Sequence, residues 1–393
     1  MHTTRIASLD LLRGLAAFSV AIPHYLILAL GTSPFAERVS VLAVEIFFVL
    51  SGFVLAPQIL GCINDRRLAN LGIFLVRRWM RTIPPYLFAL VLISLVADEL
   101  LTADFFRYAF YVQNLIAQSN ANDYFPVAWS LSIEEWFYVT MPVWLLLATG
   151  WLRRWDKRCI VVLALVYIAA VAVARTACGD YDNWGPEVRR VVLFRVDSIA
   201  YGFLLYLFVR EVGPRVGAGR LDYVKALLAA LLFLAVALVT FVITSSVAEP
   251  GHLLLAHLFP FCAAAFGATA LVLFYTMRKP MQKLPLIATC CDHMGKISYS
   301  VYLFHLVIAL AVRSSFSDLA VPAQLAIFLA ACVAGSSLFF YCFERPILAA
   351  RPRYRLRDVS DRMTGTDPLD TTRAQGKSRD PSHSPAEIAV DRA

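Results

Sequence analysis

Leu9-Asp10-Leu11-Leu12-Arg13-Gly14-Leu15-Ala16-Ala17-Phe18-Ser19-Val20-Ala21-Ile22-Pro23-His24-Tyr25 opens the first apolar run of the chain, which continues to Leu30. About 20 apolar residues in a helix cross the hydrocarbon of a bilayer. This run has that length, yet it carries an acid, an arginine and a histidine. A charge at bilayer depth costs roughly 2.5–3.5 kcal/mol on insertion scales, so such residues face a bundle interior or a wet cavity. Arg13 and His24 are eleven positions apart, which at about 100° per residue is three turns plus about 20°. Both therefore fall on one helix face, about 16 Å apart along the axis. That face holds a permanent cation toward one membrane surface and a titratable base toward the other. A satisfied interfacial arginine and a packed, hydrogen-bonded histidine are the plainer alternative, and they leave the shared face unexplained.

The rest of the chain agrees with a membrane span. Its 393 residues are 59% hydrophobic and only 16% charged, with a mean hydropathy of +0.65. Soluble domains have roughly 45–50% apolar and about 25% charged residues. The net charge of +8 is no sign of nucleic-acid binding, because Lys and Arg gather in cytoplasmic loops of membrane proteins. The eight cysteines show no metal-ligand spacing; they read as small buried hydrophobes, and no metal is expected. No cleavable signal peptide is evident, since the first run is too long and lacks a small-residue exit.

Ten candidate spans follow, at roughly 9–30, 39–60, 83–101, 127–149, 159–177, 191–209, 223–244, 255–276, 295–313 and 321–342. The predicted fold is all-α, a polytopic membrane helix bundle. Alternate loops are rich in cations: Arg66, Arg67, Arg77, Arg78 and Arg81 after span two, Arg153, Arg154, Lys157 and Arg158 after span four, and Arg351, Arg353, Arg355 and Arg357 after span ten. The opposite loops are poor in them, with Arg189 and Arg190 in 178–190 as the exception. Both termini are then expected in the cytoplasm, with Arg13 toward the inside and His24 toward the outside. Residues 1–345 read as one transmembrane domain and 346–393, polar and nearly free of aromatics, as a disordered cytoplasmic tail.

Several polar groups need explaining at membrane depth. Residues 61–82 read as a basic connector, in which Arg78-x-x-Arg81 puts two guanidinia on one helix face, suited to bidentate capture of phosphate. Topological anchoring explains the same arginines equally well. Trp129-Ser130-Leu131-Ser132-Ile133-Glu134-Glu135 sets two adjacent acids one turn inside span four. They point about 100° apart, so one at most faces a given cavity well. By depth either carboxylate is placed to orient His24; helix-dipole pairing is the alternative. Phe194-Arg195-Val196-Asp197 reads as an internal ion pair. Tyr302 and His305 share a face of span nine, and His305 reads as a structural or supporting residue.

In order and spacing these pieces resemble acyltransferase family 3, bacterial inner-membrane proteins that O-acylate cell-surface glycans and some small molecules. The resemblance runs from about residue 5 to Pro346. It rests on Leu9-Asp10-x-x-Arg13-Gly14 with Arg13-x10-His24, on Phe47-Phe48-Val49-Leu50-Ser51-Gly52-Phe53, and on the Trp129–Glu135 stretch. Ile297-Ser298-Tyr299-Ser300-Val301-Tyr302-Leu303-x-His305 and Glu344-Arg345-Pro346 complete it. Leu11 stands where Gly is usual, Glu45 where Asp is common and Trp136 where Gln is common, the last bearing on the shape of the outer cavity.

The resemblance implies Arg13 and His24 as the essential pair, and Arg78 and Arg81 as the family's Arg-x-x-Arg. Asp10, Ser132, Tyr302 and His305 fall to supporting roles. It also implies an acyl-CoA donor, acetyl-CoA first, entering from the cytoplasm, no permanently bound cofactor, and a glycan or lipid-linked saccharide acceptor in the bacterial inner membrane. Some relatives carry a fused extracytoplasmic esterase-like domain, for which this tail is too short and too polar. A proton-coupled transporter is the competing reading, since transporters also use intramembrane Arg, His and Glu. Against it, no interrupted pair of spans recurs in two halves. A structural membrane protein has no need of Arg13 and His24 on one face.

Overall fold

The computed structural model describes residues 6–65, 68–118, 123–178, 185–212, 252–278 and 284–352, with residue 281 and isolated positions between 224 and 238. Twelve helices are defined among the described residues. They are α1 (Ala7–Leu30), α2 (Pro34–Asp65), α3 (Leu68–Val96), α4 (Ala103–Ala109), α5 (Ala128–Leu152) and α6 (Lys157–Ala177), then α7 (Val192–Arg195), α8 (Asp197–Val212), α9 (His252–Thr276), α10 (Pro285–Ser315), α11 (Val321–Phe339) and α12 (Arg345–Ala349). Single π turns, Gly185–Arg189 and Phe340–Glu344, precede α7 and follow α11.

Eight helical segments are long and apolar enough to cross a membrane. Their outer faces present large apolar side chains, among them Leu147, Val173, Phe208 and Leu338, each more than 60% exposed. Apolar surface of that extent is covered by lipid in a bilayer protein and is a liability in water. The chain is an all-α, multi-pass membrane bundle. These eight segments fall on eight of the ten expected spans. Of the other two, 127–149 is the 25-residue α5, whose polar first turns lower its hydropathy and which lies largely buried inside the bundle. Most of the expected span 223–244, apart from isolated helical positions between 224 and 238, and the tail beyond residue 352 lie outside the described residues.

Two boundaries differ in an informative way. Residues 61–82 are not a connector: α2 runs to Asp65 and α3 starts at Leu68, placing Arg77, Arg78 and Arg81 within a helix. Pro84 and Pro85, read as the start of a span, lie in its interior. Neighbouring helices satisfy the backbone freed by proline inside a bundle. The cysteines also divide: Cys62, Cys291 and Cys332 are buried, whereas Cys178, Cys290 and Cys342 are exposed and so are not the buried hydrophobes expected.

α1 packs along α10 and α2 along α8, the two most extensive helix pairings. The second is made by two glycines. A Cβ on Gly202 would lie 2.0 Å from the Val49 carbonyl oxygen, and one on Gly52 would lie 1.9 Å from that of Ile199. The two backbones touch, as small residues allow between membrane helices. Gly202→Ala should therefore lower the thermal unfolding midpoint in detergent, by an overpacking cost of about 1–3 kcal/mol. Gly335, with nothing within 4 Å of its Cβ position, supplies the control, and Gly335→Ala should leave the midpoint unchanged. Equal midpoints for the two variants would contradict the close crossing.

The bundle also buries two ion pairs. Arg195 reaches Glu45 on α2 at 2.6 Å, and Arg175 on α6 makes a two-pronged contact with Asp197 at 2.8 and 3.0 Å. The expected pairing of Arg195 with Asp197 does not occur. Residues two apart on a helix point about 200° apart, and the chain breaks between α7 and α8 at Val196. Each charge therefore finds its partner on a different helix.

Candidate active site

A cavity of about 460 Å³ runs inside the bundle among α1, α2, α3, α5, α8, α9 and α10. At one end Arg77, Arg78 and Arg81 of α3 line it together with Arg210 of α8 and Arg351 beyond α12. Helical geometry accounts for the first group, because positions three and four apart share a face. Arg78 Nη2 donates to Gln58 Oε1 at 2.6 Å, and Arg77 Nη1 donates to the Pro352 carbonyl at 2.5 Å. Five guanidinia on this part of the lining make it strongly anion-attracting.

Arg13 and Glu134 line the middle of the cavity. Arg13 Nη1 lies 3.5 Å from Asp10 Oδ1, one turn back on α1. Glu134 accepts from the Ser51 hydroxyl at 3.2 Å and the Tyr138 hydroxyl at 2.5 Å. The 100° offset between neighbours shows here: Glu134 lines the cavity, whereas Glu135 is buried on another side, beside Thr82 and Trp79 of α3. Ser132 accepts from Gln113 Nε2 at 2.7 Å and so ties the 110–127 loop to α5 rather than touching the cavity. Trp136 does similar work, donating from Nε1 to the Tyr111 carbonyl at 2.9 Å.

Phe47, Ser130 and Tyr302 line the far end of the cavity. One turn beyond Tyr302 on α10 is His305, and there His24 is found. His24 Nδ1 lies 2.8 Å from His305 Nε2, with the rings stacked at 5.1 Å between centroids. His305 Nδ1 in turn lies 2.8 Å from the Tyr302 carbonyl and 3.2 Å from that of Val301. Carbonyls only accept, so His305 carries its proton on Nδ1. Neutral His305 then accepts at Nε2, His24 donates from Nδ1, and the lone pair of neutral His24 sits on Nε2. The histidine expected to be merely supporting thus sets the tautomer of the other. The expectation that Glu134 or Glu135 orients His24 is not met, because Glu134 is engaged by Ser51 and Tyr138 and Glu135 faces α3.

The two exceptional arginines lie toward this end. The Arg189 guanidinium is 4.9 Å above the Trp129 ring, and Arg190 Nη1 bonds Asp123 Oδ2 at 2.9 Å. Burial and the neighbouring Arg190 push Arg189 down to about 9, still charged at neutral pH. α4 packs here as well: its N-cap Thr102 accepts from Phe105 N, and its Tyr108 hydroxyl donates to Asp123 Oδ1 at 3.0 Å. Residues 119–122 of the polar turn lie outside the described residues.

Ser51, Gln58 and Tyr138, which hold charged groups here, are not among the site residues that the sequence singles out. Ser51 stood within the quoted motif stretch 47–53. Gln58 and Tyr138 carried no signal beyond being polar in an apolar run.

Comparison with known proteins bears on this arrangement. A Staphylococcus aureus (strain COL) protein named provisionally as an O-acetyltransferase is 25% identical over 351 residues, covering 84% of this chain and 54% of that protein. The O-acetyltransferase OatA of Staphylococcus aureus (strain NCTC 8325) is 26% identical over 308 residues, 72% of this chain and 48% of the relative. The peptidoglycan O-acetyltransferase OatA of Listeria monocytogenes is 29% identical over 182 residues, 42% of this chain and 28% of the relative. The chain thus spans about half the length, or less, of these relatives. No solved structure gives a significant match. Residues 6–341 match the family model described as an acyltransferase domain, a stretch that runs from the start of α1 to the π turn after α11, and the chain therefore belongs to acyltransferase family 3.

Proposed function

We propose that this chain is an integral-membrane O-acyltransferase of a bacterial plasma membrane, with both termini in the cytoplasm. An acyl-CoA, acetyl-CoA first, enters at the arginine end with its phosphates among Arg77, Arg78 and Arg81. A hydroxyl of a glycan or lipid-linked saccharide meets the acyl group at the histidine end. The observation that carries this reading is one cavity lined by five arginines toward one end, with the His24–His305 pair one turn of α10 past the Tyr302 that lines its other end. The names of the relatives support an O-acetyl transfer.

In this reading His24 Nε2 takes the acceptor's proton as the acceptor oxygen adds to the thioester carbonyl. The new C–O bond forms, the C–S bond breaks, and the departing thiolate recovers the proton from His24. The thioester has to meet the acceptor at the level of Phe47 and Tyr302, where the cavity ends.

Purified protein in nanodiscs, given radiolabelled acetyl-CoA and soluble glycan acceptors, should transfer label to base-labile ester. Failure to consume acetyl-CoA with any hydroxyl acceptor or with water would end this reading. The arginines supply a finer measurement. Losing a hydrogen bond to a charged group costs roughly 1.5–3 kcal/mol, so Arg78→Ala or Arg81→Ala should raise the KM for acetyl-CoA about 10–150-fold with little change in acceptor KM. Lys should restore part of this, because it supplies charge without the planar fork. An anchoring role predicts instead full rescue by Lys and a loss of inserted protein.

A further inference from the structure

The far end of the cavity is a pair of hydroxyls. Ser130 of α5 and Tyr302 of α10 both line it, and Ser130 Oγ lies 2.6 Å from Tyr302 Oη. The Val127 carbonyl is 3.2 Å from Ser130 Oγ and 3.4 Å from Tyr302 Oη. The carbonyl only accepts, so two hydroxyl protons are shared among three oxygens. In one arrangement Ser130 donates to Val127 and Tyr302 donates to Ser130. In the other Ser130 donates to Tyr302, whose own O–H makes the long 3.4 Å bond to the Val127 carbonyl and can turn from it toward the cavity while Ser130 still holds the phenolic oxygen. Turning two O–H bonds interconverts them without moving a heavy atom, and each hydroxyl oxygen keeps a partner throughout.

The position of this switchable donor fits a reaction. The Tyr302 ring is braced edge-on by Phe47 at 5.8 Å between centroids. The next turn of α10 carries His305, which holds His24. A donor anchored at the arginine end extends its acyl group toward this end, so the thioester carbonyl arrives where the phenolic proton can turn.

We infer that Tyr302 donates a hydrogen bond to the carbonyl oxygen of the donor thioester, with Ser130 holding its phenol in place. This inference rests on the acyl-CoA reading above. As the acceptor oxygen adds, the carbonyl oxygen gains negative charge and the hydrogen bond from Tyr302 strengthens. Tyr302 keeps its own proton throughout; the acceptor's proton goes to His24 and then to the thiolate. Preorganised donors at such a position are among the strongest contributors to acyl transfer.

Removing one oxyanion donor lowers kcat by about 100–1000-fold. Tyr302→Phe, which keeps the ring against Phe47, should show a loss of that order with donor KM changed less than about threefold. Ser130→Ala should show a smaller loss in kcat. A structural role would also lower kcat, so the deciding measurement is spectroscopic. A carbonyl-13C-labelled ketone analogue of acetyl-CoA, with CH2 in place of sulfur, is bound to the wild-type protein in nanodiscs. Its carbonyl stretch should fall below the value for free analogue, and the shift should disappear in Tyr302→Phe. If that variant does not fold, the wild-type spectrum together with Ser130→Ala still decides. An unshifted wild-type carbonyl, wild-type turnover in Tyr302→Phe, or an acetyl adduct on Tyr302 would overturn the inference while leaving the acyltransferase reading intact. A wild-type protein that neither binds nor consumes acetyl-CoA would instead sink that reading.

Discussion

His24→Ala is expected to abolish acyl transfer while leaving a protein that inserts and purifies like wild type. A positioned general base contributes about 100–10,000-fold, and turnover of the variant should fall by at least the upper part of that range. The structure gives this prediction a second arm. The base lone pair is on His24 Nε2 only while Nδ1 donates to His305, whose own Nδ1 is fixed by the Tyr302 and Val301 carbonyls. His305→Leu removes the acceptor and leaves His24 free to change tautomer and tilt. Turnover should fall at least tenfold, in line with the contribution of a positioned base. His305→Gln can place an amide oxygen near the lost Nε2 and should recover part of the activity. Single-turnover assays at saturating donor separate these effects from donor binding. A well-inserted His24→Ala protein with near-normal turnover would remove the base role, and equal activities for Leu and Gln at position 305 would remove the tautomer argument.

The second large effect is on folding. Arg175 and Asp197 are about 1% and 0% exposed, and Arg175 also donates to the Phe194 carbonyl. Removing one member of a buried pair leaves an uncompensated charge at a cost of about 3–5 kcal/mol. Asp197→Ala should therefore sharply lower the unfolding midpoint in detergent or prevent recovery of monodisperse protein. Removing both charges is a different matter, because apolar replacements of similar size are often neutral or better than a buried pair. Arg175→Met/Asp197→Leu should recover most of the lost stability. Asp197→Ala with a wild-type midpoint would mean that water reaches Arg175. A double variant no better than the single would mean that the pair specifies the α6–α8 contact instead of merely neutralising itself. The Glu45–Arg195 pair, braced by the Phe259 ring at 4.9 Å from the guanidinium, offers the same test at the α2–α7 contact.

Much of the architecture was legible from residue order because span formation is a local property. Twenty apolar residues make a membrane helix whatever surrounds them, and eight of the ten expected spans recur as apolar helices. The failures have a physical cause. Residue order alone starts the α3 span at residue 83, because Arg77, Arg78 and Arg81 depress hydropathy, yet these side chains face a cavity inside the bundle and not lipid. Hydropathy averages over all faces of a helix, so it cannot tell an arginine in lipid from one in a protein interior.

The candidate site divides along the same line. Residue order alone determined that Arg13 and His24 share a face, that Arg78 and Arg81 do so too, and that of Glu134 and Glu135 only one can line a given cavity. Each of these follows from the fixed rotation per residue of a single helix. Tertiary structure alone decided what each group meets. His24 and His305 are 281 positions apart, Ser130 and Tyr302 172, Glu45 and Arg195 150. Helical periodicity carries phase within one helix and loses it at every loop. Which face of α10 turns toward α1, and hence that a histidine and not a carboxylate holds His24, depends on how side chains of separate helices interlock, and no single helix's sequence encodes that.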